Sequence, residues 1–141
     1  MELITEMSVG ILLITHDDIG SSLLKSLQKM LGPLPLPVKV LPIRHENEPI
    51  AFRYHAEKIC QSLNKGHGVL VLTDLFGATP CNIACHLIPH HRVRIVAGLN
   101  FSMLVKIMNY PEADLDTLAS KALSGACQGV LDVNSVITDN G

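Results

Sequence analysis

The stretch from Val9 to Ile14 contains no polar residue and is rich in β-branched side chains. A strand with one wet face alternates apolar and polar residues, so an unbroken run of this kind, read from Ser8 to Ile14, predicts a strand buried on both faces. The stretch Gly68 to Thr73 repeats the pattern with Val69 to Leu72 at its centre, which places it in the middle of a sheet. Each run is followed by a polar cluster and then by apolar residues at helical spacing. Strands buried on both sides and joined through helices make a parallel sheet with helices on both faces, and this is the fold class the chain implies.

The other segments fit that frame. From Asp18 onward Ile19, Leu23, Leu24, Leu27, Met30 and Leu31 recur at helical spacing until Gly32-Pro33 ends the pattern. Val38 to Ile43 reads as a second strand. A helix from Pro49 to Leu63 follows, with Ile50, Tyr54, Ile59, Cys60 and Leu63 as its expected apolar side. After the central strand, Asp74 to Pro80 leads into a short helix. Thr79 is expected at its N-cap, Pro80 at its first position and Pro89 at its end. Val93 to Ala97 is the fourth strand. One helix is capped by Asn100 with Leu104, Val105 and Met108 inside; another runs from Asp114 to Gln128 with Leu115, Leu118, Ala122 and Leu123 inside, closed by Gly129. The tail Val130 to Ile137 alternates imperfectly and is expected to form an edge strand, paired with a second subunit.

A length of 141 residues, 48% of them hydrophobic and 17% charged, predicts one domain over residues 1–141 with a packed core. Net charge is −2 and the cations are scattered, so nucleic acid is not an expected partner. The longest apolar runs fall far short of the roughly 20 residues that cross a bilayer. The start, Met1 to Glu6, carries acids where a secretory signal carries positive charge, so the expected location is the cytoplasm. Cys60, Cys81, Cys85 and Cys127 show no CxxC spacing and are expected to be reduced and mostly buried.

In an open parallel sheet, ligands collect beyond the carboxyl ends of the strands, where the strand order reverses. Thr15-His16-Asp17-Asp18 follows the first strand and Asp74 to Pro80 the third. In the order 2-1-3-4 these ends are neighbours, and His16 and Asp74 face one crevice. A carboxylate accepting one ring N–H fixes the tautomer and leaves the other nitrogen's lone pair outward, as a nucleophilic histidine requires. Backbone donors and the hydroxyl near Thr79 suit phosphoryl oxygens, with Gly77 allowing close approach. A structural reading stands beside this one: a histidine after a strand is often solvated, and an aspartate there is often a turn former.

Three motifs carry a resemblance: Gly10-Ile-Leu-Leu-Ile-Thr-His16, Leu72-Thr-Asp74-Leu-Phe-Gly77-Ala-Thr79-Pro80-Cys-Asn82 and Gly98-Leu-Asn100-Phe-Ser-Met103-Leu104. In that order and spacing they resemble the mannose-class enzyme IIA domains of the bacterial sugar phosphotransferase system, over nearly the whole chain. The resemblance implies that His16 accepts a phosphoryl group, that Asp74 orients it, and that Gly77, Ala78 and Thr79 form the phosphoryl-binding loop. It implies a histidine phosphocarrier protein as donor, a IIB protein or domain as acceptor, membrane contact only through partner subunits, and a homodimer that exchanges a C-terminal strand. Family members usually have Gly where this chain has Asp17, and Ala78 replaces a second loop glycine. Ala78 requires a negative φ, and Asp17 adds negative charge beside the acceptor unless it turns away to cap the helix.

The implied role is a phosphoryl carrier in sugar uptake, a transferase component with a phosphohistidine intermediate. A stand-alone regulatory phosphoprotein and the phosphoryl-donor subunit of dihydroxyacetone kinase are the alternatives, and Pro80 and Asn82 favour the mannose-class loop over the latter. No cofactor is expected, because a phosphohistidine donor is already activated. Cys81, Cys85, His86, His90 and His91 crowd one segment without matching a zinc pattern, so packing is their expected role. His45, His55 and His67 read as surface or loop residues.

Overall fold

A computed structural model describes residues 8–45 and 48–140; the sequence-based reading of Met1 to Glu6 lies outside the described residues. Four strands, β1 (Gly10–His16), β2 (Val38–Ile43), β3 (Val69–Thr73) and β4 (Val93–Ala97), form one parallel sheet in the order β2-β1-β3-β4. Six helices accompany them among the described residues: α1 (Ile19–Leu31), α2 (Pro49–Leu63), α3 (Thr79–Cys85), α4 (Phe101–Ile107), α5 (Leu115–Gln128) and α6 (Val133–Asn140).

The unbroken apolar runs explain the layering. Along β1, Ile11 and Leu13 face one core and Leu12 and Ile14 the other. The first core is completed by Leu27 of α1, Met103 and Leu104 of α4, and Leu118 of α5. Phe52, Ala56 and Cys60 of α2 and Ile83 of α3 complete the second. Both faces of β1 and β3 are thereby removed from water, which is the driving force that fixes the sheet.

Departures from the sequence-based expectation have local causes. β1 begins two residues later than Ser8 and continues through His16. The buried stripe of α2 is Phe52, Ala56, Cys60 and Leu63. At about 100° per residue, positions two away from that stripe lie on the opposite side, so Ile50 and Tyr54 are exposed. Ile19, Met30, Leu31 and Leu123 are also more exposed than the helical spacing suggested. Cys60 and Cys81 are buried, whereas Cys85 and Cys127 are exposed.

The tail departs most. It forms helix α6 in place of an edge strand. Asp132 provides the reason: its carboxylate accepts from the N–H of Asn134 at 3.2 Å and from the Ser135 hydroxyl at 3.0 Å, and its carbonyl accepts from the N–H of Val136 at 3.1 Å. An acidic residue at this place starts a helical turn without needing a strand partner.

No helix among the described residues is long and apolar enough to cross a membrane.

Candidate functional site

The carboxyl ends of β1, β2 and β3 converge. In the register of the sheet His16 pairs with Ile43, and Ile14 with Thr73, so Asp74, one residue on, falls at the level of Thr15 beside the carboxyl end of β1. Asp74 Oδ2 accepts two hydrogen bonds from His16, one from ring Nδ1 at 2.7 Å and one from the backbone N–H at 3.1 Å. A carboxylate can only accept, so the proton of a neutral ring sits on Nδ1 and Nε2 keeps its lone pair. The His16 side chain is 34% exposed and that of Asp74 12%, so the base faces outward from a largely enclosed support.

Burial pushes the Asp74 carboxyl up. Hydrogen bonds from the His16 ring, the His16 backbone N–H and its own backbone N–H, together with the nearby His16 ring, pull it down further in sum, and the balance lies below the ordinary carboxylate value. Asp74 is therefore ionised at neutral pH, and the charge beside Nδ1 is negative.

The segment after β1 is tightly built. Thr15 is fully buried, and its hydroxyl accepts from the N–H of Gly20 at 2.9 Å. A side chain on Gly20 would meet that hydroxyl oxygen at 2.9 Å and Val40 at 3.1 Å, so only glycine lets α1 start this close to the sheet. Asp18 precedes α1 but makes no capping bond with its side chain. Its carboxylate instead accepts from Arg44 Nη2 at 2.8 Å. Asp17 is exposed and has φ +43°, the left-handed region where a glycine is at ease. The usual glycine after the histidine thus has a backbone reason. Asp17 keeps that conformation without capping the helix.

After β3, Gly77 turns the chain at φ +82°. Ala78 is extended at φ −83°, as its side chain requires, and it holds the N-cap position of α3. Thr79, expected at that cap, is the first helical residue, and no side-chain capping bond is made. Thr79 lines, with His16, Arg44 and His45, a cavity of about 220 Å³ bounded also by the apolar Ile43 and Phe52. In the loop before α3, Phe76 is 84% exposed.

The sequence-based reading brought together His16, Asp74 and Thr79, and the structure does so too. It missed Arg44 and took His45 for an ordinary loop residue. The available signal was the strand-end rule itself, since β2 also ends at this crevice. Cys81, Cys85, His86, His90 and His91 do not assemble: among the described residues no group of three or more His, Cys, Asp or Glu is placed to hold a metal ion.

The sequence model of the EIIA-man family, described as the PTS system fructose IIA component (PTS, phosphotransferase system), matches residues 10–123. The chain belongs to this family. The PTS system mannose-specific EIIAB component of Escherichia coli (strain K12) is 28% identical over 128 residues, which cover 88% of the chain and 39% of that relative. The chain therefore spans about two-fifths of the length of the curated relatives it matches. Among solved structures, the mannose/sorbose specific IIA subunit of the phosphotransferase system from Enterococcus faecalis superposes with a TM-score of 0.79 at 26% identity, covering 89% of this chain and 94% of that one. The component EIIA from Streptococcus agalactiae shares the fold, with a TM-score of 0.80 at 22% identity over 90% of this chain and 98% of that one. The parallel order β2-β1-β3-β4 is thus the architecture of IIA proteins, and the His16–Asp74 pair lies at its strand ends.

Proposed function

We propose that this IIA family member carries a phosphoryl group on His16 Nε2, accepting it from a histidine phosphocarrier protein and passing it to a IIB protein or domain in sugar uptake. The observation that carries the reading is the 2.7 Å hydrogen bond from His16 Nδ1 to Asp74 Oδ2, which leaves Nε2 as the nucleophile.

The step balances without a change of protonation at the support. The Nε2 lone pair attacks phosphorus and a P–Nε2 bond forms. The donor's P–N bond breaks with its electron pair returning to the donor nitrogen. Nδ1 keeps its proton, and Asp74 stabilises the positive ring that results. The donor is already activated, so the step needs neither nucleotide nor metal, and positioning carries most of the catalysis. Gly77, Ala78 and Thr79 form the loop proposed to receive the phosphoryl oxygens; the placement of Thr79 on the His16 cavity supports this. The exposed Leu75 and Phe76, which directly follow Asp74, offer apolar area to a docking protein.

The reading includes a single domain acting in the cytoplasm, reaching the membrane only through partner subunits, and assembling as a homodimer. The exposed Val130, Leu131, Val133 and Ile137 support a second copy on the tail.

Incubation with phosphoenolpyruvate, the general phosphotransferase enzyme and the phosphocarrier protein should add one acid-labile, base-stable phosphoryl group. Mass spectrometry should place it on His16, and His16→Ala should abolish it. Phosphate on His45, His86 or a serine, or undiminished labelling of His16→Ala, would overturn the proposal.

A further inference from the structure

Arg44 is one residue beyond Ile43, the register partner of His16, and the N–H of Asp17 donates to the Ile43 carbonyl at 3.0 Å. The backbone that carries Arg44 is therefore fixed to the backbone that carries the acceptor. Arg44 also lines the cavity that His16 and Thr79 line. Three carboxylates, Asp17, Asp18 and Asp74, lie along the segments that flank His16. The oxygens of a transferred phosphoryl group carry about two negative charges at neutral pH, only one of which the positive ring offsets. Arg44 is the fully ionised cation lining this cavity, and a guanidinium offers paired N–H donors matched to phosphoryl oxygens.

One partner that Arg44 holds in the unphosphorylated chain, Asp18, is exchangeable. Asp18 binds Arg44 Nη2 at 2.8 Å, and both side chains are well exposed. An exposed ion pair of this kind is weak, because water screens it and two long side chains must be ordered to form it. A doubly charged phosphoryl group in the half-enclosed cavity is the stronger acceptor.

We propose that Arg44 is a phosphoryl-binding residue of this protein, released by Asp18 to bind the phosphoryl oxygens on His16. The inference rests on His16 being the acceptor. Arg44 takes no proton and forms no covalent bond; it neutralises charge as the P–Nε2 bond forms.

The test measures the rate at which full-length protein accepts phosphate from a limiting amount of phosphorylated carrier protein. Thermal melting establishes that each variant is folded. Arg44→Gln should slow acceptance by about tenfold or more, the effect of losing a charge-assisted hydrogen bond. It should also shift the phosphorus resonance of the phosphohistidine. Arg44→Lys, which keeps the charge but loses the fork, should fall between Gln and wild type. Asp18→Asn should accept at least as fast as wild type, because it removes a charged competitor for Arg44. A purely structural Arg44–Asp18 pair makes the opposite statement, that both partners matter alike; slowing of Asp18→Asn to the level of Arg44→Gln would therefore overturn the proposal. So would a wild-type rate in Arg44→Gln while wild type is labelled on His16. Absence of His16 labelling in wild type would overturn the acceptor assignment, and this inference with it.

Discussion

His16 gives both of its donors, the ring N–H and the backbone N–H, to the same oxygen of Asp74, at 2.7 Å and 3.1 Å. The second bond holds the carboxylate even while the ring moves. The first sets the tautomer.

Asp74→Asn should therefore leave the fold intact while slowing labelling of His16 by roughly two orders of magnitude or more, because an amide supplies no negative charge and can hold the ring in the wrong tautomer. The pair also has a defined pH range. The Asp74 carboxyl is lowered in the folded chain, so its stabilising contribution is complete above the unfolded-state value of about 3.9 and is lost as pH falls through the lower folded-state value. In urea unfolding, the advantage of wild type over Asp74→Ala should be flat from about pH 5 to neutrality and disappear only in strong acid. A difference that vanishes near pH 6 would contradict the assignment.

Asp17 occupies φ +43°. Asp17→Gly should stabilise the protein by about 0.5–1 kcal/mol in urea unfolding, the relief of a left-handed residue offset by the greater freedom of glycine in the unfolded chain. Asp17→Val should destabilise it by more than about 1 kcal/mol, since a β-branched side chain fits this region worst. Asp17→Gly should also accept phosphate faster, because one negative charge beside His16 is removed.

Val133 and Ile137 are both exposed on α6. If the tail joins two copies, Val133→Asp with Ile137→Asp should shift light scattering from dimer to monomer while changing the unfolding midpoint of the monomer little. A wild-type monomer at every accessible concentration would refute the assembly.

The parallel sheet was legible in the sequence because strands buried on both faces leave a continuous apolar record. That record does not fix the order 2-1-3-4; given that order, the strand-end rule and the family resemblance together point to His16 and Asp74. Helix phase was less legible. Ile50 and Tyr54 are as apolar as Phe52 and Ala56, and only the sheet beneath α2 decides which pair turns inward. Capping was less legible: Thr79 has the right chemistry for a cap, yet Ala78 holds that position, and at the start of α1 Arg44 takes the Asp18 carboxylate while Thr15 receives the Gly20 N–H. Arg44 itself carries no local signal, since its relation to His16 exists only through strand register. The helix at the tail follows from Asp132, whose short-range bonds the imperfect alternation of the tail concealed.

The pair at the centre of the site joins residues 58 positions apart, from the ends of β1 and β3. Between them lie α1, β2 and α2, so the chain must complete a long crossover before the two strands can zip together. Contacts of such separation form late and cannot survive in a chain whose central sheet has opened. On the proposed reading, competence to receive phosphate is thereby a property of the fully assembled sheet, and a kinetically trapped or partly unravelled molecule would be silent in phosphate relay rather than a faulty participant in it.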